Sequence, residues 1–294
     1  MKKAKLLSFS ELFLVAVIWG ATFPAAKYAL EVLNPVTLTA LRFAISSVLF
    51  LPVIFWSRKE SRLLYQNDFW TVILLGLLGV TLFYIFQFLG LQYTTATNVS
   101  LLISLIPIFT SGLAARALKE PLGKLKVLGL VISFLGAGLV ITGGQFNLSA
   151  RGSDLIGAGF IMTNIICWSF YTVLGKKILQ KYSSRTVTAH SVVWGTILVI
   201  PPALTWGSLG ELAKMGLSQW LSVLYLGVLG SFLAYLLWYD GLKRIQASSA
   251  STFIYLQPLV TIVVAYFWLG EEVTLTILGG GALILSGVYF AAER

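Results

Sequence analysis

The sequence predicts an all-α integral membrane protein in which ten transmembrane helices form two inverted five-helix repeats, with both termini on the cytoplasmic side. Three observations lead to this expectation. The 294 residues are 57% hydrophobic and only 11% charged, and their mean hydropathy is +0.87. Long apolar runs recur along the whole chain, with basic residues concentrated in alternate loops. The second half of the sequence also repeats features of the first half at a nearly constant offset.

The composition favours lipid as the solvent of this chain. An average soluble domain carries about 25% charged residues, so a chain with 11% cannot cover its surface with polar groups. No polar stretch is long enough for a separate soluble domain. The N-terminal segment MKKAKLLSFSELF resembles the basic start of a signal peptide. Because no small-residue cleavage site follows it, we expect it to remain as part of the first helix.

The apolar runs define the helices one by one. A helix needs about 20 mainly apolar residues to cross roughly 30 Å of hydrocarbon. Strands are excluded because the runs are continuous and lack the ten-residue alternating pattern of a membrane barrel. The predicted spans are 9–30, 36–56, 69–91, 95–115, 124–143, 155–175, 186–206, 218–239, 246–269 and 273–291.

The distribution of basic residues tests both the number and the orientation of these spans. With a cytoplasmic N-terminus and ten crossings, 17 of the 21 Lys and Arg residues lie in cytoplasmic loops or tails. These are Lys2, Lys3, Lys5, Arg58, Lys59, Arg62, Arg116, Lys119, Lys124, Lys126, Lys176, Lys177, Lys181, Arg185, Lys243, Arg244 and Arg294. A miscounted helix would invert every later loop and remove this asymmetry, so the positive-inside rule supports the topology.

The charge and the cysteine content exclude several other classes of protein. The net charge of +10 follows from the cytoplasmic loops, so we expect the lipid bilayer rather than nucleic acid as its partner. The single cysteine, Cys167, excludes an internal disulfide. One cysteine and one histidine also make a Cys/His metal site implausible, and we expect no cofactor.

A long-range internal repeat relates the two halves of the chain. Residues 76–109 realign with residues 227–260 at an offset of 151, and near the start the offset is 149. The matched pairs include Trp19/Trp168, Thr37/Thr186, Gly79/Gly230, Tyr84/Tyr235, Ala96/Ala247, Pro107/Pro258, Glu120/Glu271, Gly129/Gly280 and Gly136/Gly287. The predicted repeats are residues 1–143 and 144–294.

The odd number of crossings in each repeat predicts their relative orientation. Five crossings bring the second repeat into the membrane from the opposite side, so the repeats are inverted about an axis in the membrane plane. Two near-equivalent halves of opposite orientation have two arrangements of similar energy, one open to each side of the membrane. This symmetry is the basis of alternating access and places a substrate site near the midplane. Receptors and membrane enzymes do not need it.

Several short motifs resemble a known family. They are Trp19-Gly20-Ala21-Thr22-Phe23, Leu41-Arg42-Phe43, the stretch from Ala96 to Pro107 before Glu120, and Pro258 followed by Leu269-Gly270-Glu271. Together they resemble the EamA-type branch of the drug/metabolite transporter superfamily over essentially the whole chain. The resemblance implies a ten-helix fold with a central cavity and the export of amino acids or other small metabolites. Lys119-Glu120-Pro121 departs from the Gly-Glu ending of the second half.

Placing an ionisable group within the membrane costs free energy, so such groups mark candidate functional sites. No carboxylate falls near the midplane, which disfavours carboxylate-based ion coupling. Arg42 is a candidate to bind a substrate carboxylate or phosphate, or alternatively a packing residue that bonds backbone carbonyls. His190 is a candidate proton-responsive group or a satisfied interior histidine. Lys27 is expected to be an interface anchor.

Polar and aromatic residues at mid-depth form the rest of the candidate substrate site. Few charges and many aromatic rings suit an amphipathic substrate, although each of these residues is also explained by helix packing. In the first repeat they are Trp19, Thr22, Tyr84, Gln87, Asn98 and Ser104. In the second repeat they are Asn164, Trp168, Tyr171, Tyr235, Trp238, Tyr255 and Gln257. The pairs Trp19/Trp168 and Tyr84/Tyr235 are the leading candidates.

Proline and small residues indicate places where helices bend or approach closely. Pro107 and Pro258 occupy equivalent positions and are candidate gate hinges or packing kinks. Small residues recur at 129, 133 and 137 in the fifth span and at 279–281 and 286–287 in the tenth. They permit close helix contacts, either within one bundle or in a homodimer through these two helices.

The leading hypothesis is a multi-pass transporter of the bacterial inner membrane that moves small metabolites, with amino-acid export first. The alternative is a nucleotide-sugar, sugar-phosphate or lipid-linked carrier, which would need more cationic residues in the cavity. An enzyme is not expected, because the chain has no Gly-x-Ser-x-Gly elbow for His190 and no Gly-rich phosphate loop. A channel is disfavoured because no ring of filter charges is visible. The substrate, the coupling ion and the direction of flux stay open.

Overall fold

The computed structural model describes residues 2–93, 102–142, 152–269 and 275–292, which are helical between short turns and contain no strand. In the first half the helices are α1 (Lys2–Leu30), α2 (Pro35–Trp56), α3 (Arg58–Tyr93), α4 (Ile106–Ala117) and α5 (Lys124–Thr142). In the second half they are α6 (Gly152–Ile178), α7 (Ser184–Trp206), α8 (Leu217–Arg244), α9 (247–269) and α10 (Leu275–Ala292). A 3₁₀ turn, Leu209–Lys214, precedes α8.

The all-α prediction is confirmed for the described residues. Within them, the six helices α1, α2, α3, α6, α7 and α8 are long and apolar enough to cross a membrane. The predicted bounds lie close to the observed ones. The second span was expected at 36–56 and the helix is Pro35–Trp56, while the seventh was expected at 186–206 and the helix is Ser184–Trp206. Part of the fourth predicted span, 95–115, lies outside the described residues.

The start of α3 differs from the prediction. The apolar runs predict no span over residues 57–68, but a helix already begins at Arg58. Non-helical backbone at Asp68 (φ −133°, ψ 26°) separates its first part from the apolar part. Hydropathy misses this segment because it is rich in charge. It is stabilised instead by contacts with α7, where Tyr65 and Ser61 both bond to the ring of His190.

Both long central helices contain a π-helical stretch at equivalent positions. In α3 it covers Leu77–Leu82, and in α8 it covers Leu226–Leu233. The 151-residue offset that relates Gly79 to Gly230 superimposes these two stretches. π-Helical turns are rare and frequently lie at functional sites. Their recurrence supports the repeat with a feature of the backbone that the aligned residues do not reveal.

The largest helix–helix contacts join one repeat to the other and come in equivalent sets. Helix α1 packs on α8 and α9, just as α6 packs on α3 and α4. Helix α2 packs on α8, as α7 packs on α3. Helices α2 and α7 contact each other, and so do α5 and α10. The repeats therefore interleave, and any site in the centre is built from both of them.

The packing of α5 on α10 has approximate two-fold symmetry. A methyl group built on Gly129 would lie 2.5 Å from the carbonyl oxygen of Gly287, and one built on Gly136 would lie 2.7 Å from that of Gly280. The glycine faces thus contact each other within the chain, with the two helices antiparallel. A homodimer through α5 and α10 stays a prediction, and it would have to use other faces of these helices.

A second pair of glycine contacts obeys the same symmetry. A methyl group on Gly76 of α3 would lie 2.6 Å from the carbonyl oxygen of Ser191 in α7. A methyl group on Gly227 of α8 would lie 3.0 Å from the carbonyl oxygen of Arg42 in α2. Gly227 corresponds to Gly76, and Ser191 corresponds to Arg42. The pseudo-two-fold relation therefore extends from the α5–α10 contact into the centre of the bundle.

Candidate functional site

Two repeat-related tryptophans meet at the centre of the bundle. The ring centroids of Trp19 in α1 and Trp168 in α6 lie 5.2 Å apart, with an interplanar angle of 80°. Tyr235 and Trp238 of α8 pack against both indoles, with centroid distances between 5.5 and 6.0 Å. Such edge-to-face and tilted contacts are favourable geometries for aromatic pairs. These four aromatic residues, all of them predicted site residues, thus form one aromatic cluster.

A small cavity lies beside this aromatic cluster and has a volume of about 40 Å³. Both repeats line it, and its wall reaches Ala26 of α1 and Leu91 of α3. Six of the predicted site residues contribute to the lining: Trp19, Thr22, Arg42, Tyr84, Gln87 and Trp168. Gln257 of α9, also among the sequence candidates, lines it as well. The cavity therefore lies at the interface between the two repeats.

The apolar part of the lining was missed by the sequence analysis. Phe23, Phe83, Phe88 and Ile254 all contribute to the cavity wall. Aromatic and aliphatic residues are abundant throughout the spans, so their type alone does not distinguish them. The available signal is position, because Phe23 follows Thr22 and Phe83 precedes Tyr84.

Arg42 is buried at the edge of the cavity, with 1% of its surface exposed. Its Nε donates a hydrogen bond to Ser231 Oγ at 2.9 Å, and its Nη2 donates to Tyr84 Oη at 3.5 Å. Its guanidinium carbon lies 4.2 Å from the centroid of the Tyr84 ring. These hydrogen-bond partners are side chains of α8 and α3. They differ from the backbone carbonyls that the packing alternative predicted, and the burial excludes snorkelling.

Two other cavity residues carry buried polar atoms without a hydrogen-bond partner in the described part of the chain. They are Trp168 Nε1, which is a donor, and Gln87 Oε1, which is an acceptor. Leaving a buried polar group unpaired costs roughly 1–3 kcal/mol. Arg42, Trp168 and Gln87 all line the cavity, so side-chain rearrangement there would offer a small molecule a guanidinium, a donor and an acceptor.

On the other side of Trp168 the bundle is closed by stacked tyrosines. Tyr171 of α6 and Tyr239 of α8 have ring centroids 4.9 Å apart and nearly parallel planes, at 16°. Both side chains are completely buried. Trp168 packs on Tyr171 with a centroid distance of 5.1 Å. The predicted site residue Tyr171 thus lies beneath the cavity and seals it from the end of the bundle at which α6 and α8 terminate.

Polar contacts between the repeats close the same end of the bundle. Lys181 forms an ion pair with Asp68 at 3.0 Å, and Tyr182 donates to the same carboxylate at 2.9 Å. Glu11 of α1 pairs with Arg244 at the end of α8. Because α1 and α3 belong to the first repeat, these contacts connect the two halves at this end of the bundle, and Asn34 bonds to Glu211 at the other end.

Three predicted site residues lie away from the cavity. Asn164 donates from Nδ2 to the carbonyl oxygen of Phe83 at 2.7 Å and ties α6 to α3. His190 contacts the charged start of α3, as described above, and does not line the cavity. Tyr255 donates to the carbonyl oxygen of Leu130 at 3.2 Å and connects α9 to α5. Another candidate of the first repeat, Asn98, lies outside the described residues.

The two candidate hinge prolines follow breaks in regular helix. Pro107 is in the first turn of α4, directly after a turn at Ser104–Leu105. Pro258 follows a 3₁₀ segment, Thr252–Leu256, and is the second residue of the α-helical part Gln257–Leu269. Proline is well suited to a first turn because the missing N–H needs no partner there. The sequence analysis placed both prolines inside continuous spans, whereas each marks the point where a helix is interrupted.

The family of the chain follows from its similarity to known proteins. A model of the EamA-like transporter family matches residues 9–142 and again residues 155–292. The chain belongs to this family. The double match also agrees with the internal repeat, and the family, together with the apolar helices, identifies a multi-pass membrane protein of the drug/metabolite transporter type.

Relatives with transporter names align over nearly their whole length. An "Uncharacterized transporter" of Archaeoglobus fulgidus is 32% identical, and the alignment covers 96% of this chain and 98% of that protein. The "Uncharacterized transporter YyaM" of Bacillus subtilis is 31% identical over 94% of this chain and 90% of its own. A "Probable terminal-alkyne amino-acid exporter" of Streptantibioticus cattleyicolor is 27% identical over 96% and 92%.

A solved structure shares the fold of this EamA-family member. It superimposes with a TM-score of 0.82 at 20% sequence identity, and the match covers 99% of this chain and 96% of the other. At this level of identity the likeness concerns the fold alone. It supports the helical arrangement of the described residues.

Proposed function

We propose that this EamA-family member transports small amphipathic metabolites, with amino acids and related compounds first, by alternating access between its two repeats. One observation carries the proposal. Trp19 and Trp168, which are equivalent in the two repeats, meet beside a cavity that both repeats line. Inverted-repeat transporters bind their substrates at the interface between repeats near the membrane midplane.

The proposal includes a topology. We assign ten membrane crossings, in which the residues near 143/144 join two inverted repeats and both termini are cytoplasmic. The concentration of 17 of the 21 basic residues on one side supports this orientation. The same asymmetry favours a plasma membrane, and in a bacterium the inner membrane. In this orientation the stacked Tyr171 and Tyr239 and the ion pairs close the cytoplasmic side of the cavity.

Alternating access follows from the symmetry of the contacts. The Gly129–Gly287 and Gly136–Gly280 contacts exchange under the pseudo-two-fold operation, so the α5–α10 pair fits either arrangement of the bundle. Two halves of similar structure and opposite orientation have a second arrangement of comparable energy, in which each half adopts the conformation of the other. Substrate that enters from one side then leaves to the other without a continuous pore.

The cavity must enlarge to accept a substrate. Its volume of about 40 Å³ is near the roughly 30 Å³ that one water molecule occupies in the liquid. Sites for small organic ligands usually measure roughly 300–1,000 Å³. In this structure the cavity is therefore contracted. Pro107 and Pro258, which follow helix interruptions in α4 and α9, are our proposed hinges for the opening.

The lining and one relative favour amino acids as the substrate class. Aromatic rings dominate the wall, and Arg42 is the one cationic residue among the described residues that line it. The relative from Streptantibioticus cattleyicolor is named as an exporter of an amino acid with a terminal alkyne. By analogy we propose export as the direction. The diphosphate of a nucleotide sugar carries more negative charge than a carboxylate, and a single arginine is poorly matched to it.

The proposal is tested by counterflow in proteoliposomes loaded with unlabelled amino acids. We expect saturable exchange of at least one labelled amino acid and its loss in Trp168→Ala. Trp220→Ala, which removes a 41% exposed tryptophan of α8, is the matched control and should retain exchange. Exchange of nucleotide sugars but not amino acids would favour the alternative carrier. If neither amino acids nor nucleotide sugars are exchanged, the proposed substrate classes are contradicted.

A further inference from the structure

The guanidinium of Arg42 lacks a negatively charged partner. Neither ion pair among the described residues includes it, and its two hydrogen-bond acceptors, Ser231 and Tyr84, are neutral hydroxyls. A guanidinium has five N–H donors, and the described contacts use only two of them. A buried charge without a counter-charge is costly. Its presence needs a reason other than stability.

Symmetry does not supply that reason. The position equivalent to Arg42 in the second repeat is Ser191, whose hydroxyl donates to the carbonyl oxygen of Thr188 at 3.0 Å. A helix at this position of the fold can therefore pack with either an arginine, as in α2, or a serine, as in α7. The arginine makes one half of the cavity positive, and it does so on the wall that also holds Tyr84 and Gln87.

We infer that Arg42 binds a single anionic group of the substrate, with Trp168 Nε1 as a second donor and Gln87 Oε1 as the acceptor for a cationic or N–H group. This inference rests on the proposed function and specifies its substrate class. A carboxylate and a phosphate monoester both satisfy the chemistry. The anion supplies the counter-charge of Arg42. The rest of the molecule forms hydrogen bonds with the two polar atoms that have no partner in the described part of the chain.

The test measures thermal stabilisation of the purified full chain in detergent by L-phenylalanine, L-phenylalaninamide and phenyl phosphate. We expect phenylalanine, phenyl phosphate or both to stabilise the protein at concentrations at least tenfold lower than the amide requires. In Arg42→Gln this preference should fall below twofold, and Arg42→Lys should keep part of it. Arg58→Gln, whose guanidinium lies over the Phe55 ring at 3.8 Å outside this cavity, should keep all of it.

The two anions distinguish a carboxylate site from a phosphate site. Equal stabilisation by all three compounds, or by none, overturns the inference, and so does a preference that survives in Arg42→Gln. Because this readout is binding, it separates the inference from the transport proposal. Counterflow of a neutral compound without anion preference would retain the proposed function and remove the role of Arg42.

A second, independent observation concerns the carbonyl groups of Gly79 and Gly230. These equivalent residues lie in the two π-helical stretches, and each carbonyl oxygen accepts a bond from an aromatic side chain. Tyr235 Oη donates to Gly79 at 2.6 Å, whereas Trp19 Nε1 donates to Gly230 at 3.0 Å. The two halves thus use donors of different types at the same place.

The symmetry-related donors are present but not engaged. Exact two-fold symmetry would place Trp168 on Gly79 and Tyr84 on Gly230. Instead Trp168 Nε1 has no partner in the described part of the chain, and Tyr84 Oη accepts from Arg42. Since the second arrangement of an inverted-repeat protein exchanges the conformations of its halves, these two donors are the ones that it would use.

We propose that alternation exchanges these hydrogen bonds: Trp168 replaces Tyr235 on Gly79, and Tyr84 replaces Trp19 on Gly230. The number of bonds is conserved, so neither arrangement leaves a carbonyl unpaired. The exchange also moves Tyr84 away from Arg42, which couples the state of the bundle to the anion site. This proposal likewise rests on alternating access, and the donors act as positioning residues.

Cysteine accessibility tests the exchange directly. In a Cys167→Ala background, thiol labelling of Ala26→Cys measures access from the end of the cavity toward Leu91. Labelling of Thr172→Cys measures access from the side of Tyr171 and Tyr239. Tyr235→Phe removes a donor of the present state, so labelling at position 26 should fall and labelling at position 172 should rise, each at least threefold. Trp19→Phe should act in the same direction. Trp168→Phe removes a donor of the other state and should act in the opposite direction.

Shifts in the same direction for Tyr235→Phe and Trp168→Phe, or no shift in either, overturn the exchange. Counterflow is measured on the same variants. Variants that still transport but show no shift in labelling leave the proposed function intact. If the predicted labelling shifts occur but neither amino acids nor nucleotide sugars are transported, the proposed function is contradicted and the exchange is not. Size-exclusion profiles of the variants exclude misfolding as the source of increased labelling.

Discussion

Gly129 of α5 and Gly287 of α10 touch through their backbones, and a methyl group on either would lie 2.5 Å from the carbonyl oxygen of the other. Gly136 and Gly280 repeat this contact at 2.7 Å. Small residues at membrane helix interfaces allow such approach, and dispersion forces then stabilise the pair. The contact is symmetric because the four glycines form two equivalent pairs in the repeats.

Replacement of Gly287 by leucine should therefore destabilise the protein. The side chain has no space, so the helices must separate, at a cost of about 1–3 kcal/mol or more. We expect a lower melting temperature in detergent for Gly287→Leu. Gly279→Leu on the same helix is the matched control, because no atom lies within 4 Å of a methyl group built there. Equal melting temperatures for the two variants would contradict the contact.

Glu120 should stabilise the start of α9 from the opposite repeat. Its carboxylate accepts hydrogen bonds from the backbone N–H of Ala247 at 2.7 Å and of Ser248 at 3.0 Å. A carboxylate at a helix N-terminus satisfies free N–H groups and interacts favourably with the helix dipole. Glu120→Ala should cost about 1–2 kcal/mol, which thermal unfolding will measure. Glu31→Ala at an exposed turn should have little effect, and similar losses in both would argue against the cap.

His190 should affect stability more than substrate affinity. Its ring is bonded by Tyr65 at 2.8 Å and Ser61 at 2.9 Å, and it does not line the cavity. His190→Phe removes the partner of Tyr65 Oη and one of the two partners of Ser61 Oγ, which also bonds to Ser57 Oγ, and should lower the stability by about 1–3 kcal/mol. The KM for counterflow should change less than twofold. The opposite pattern, a raised KM with unchanged melting, would return His190 to the substrate site.

The interruptions before Pro107 and Pro258 should control the rate of opening. Substitution by alanine restores a backbone donor and favours continuous helix across the break. We expect Pro107→Ala and Pro258→Ala to insert normally and to slow counterflow by about three- to tenfold, the equivalent of roughly 1 kcal/mol in the barrier. Pro201→Ala, at an exposed position of α7, is the control. Unchanged rates in both hinge variants would identify the prolines as packing features.

The site illustrates where sequence reasoning succeeded and where it stopped. Trp19 and Trp168 were singled out because the repeat pairs them, and they meet in the structure. Tyr84 and Tyr235 were paired for the same reason, yet their hydroxyls have different partners. Repeat equivalence specifies position in the backbone. It does not specify which of two equivalent donors is engaged in one conformation.

The sequence by itself determined the all-α fold class, the two repeats and the family of this protein, because long apolar runs and repeated motifs can be read directly from the chain. Only the tertiary structure decided which polar groups meet. In it Arg42 donates a hydrogen bond to Ser231, and His190 contacts the charged start of α3. Trp168 Nε1 has no hydrogen-bond partner in the described part of the chain. The physical reason is that nearly every side of these helices is apolar. Their rotation and contacts are therefore set by close packing between the repeats, which hydropathy does not encode.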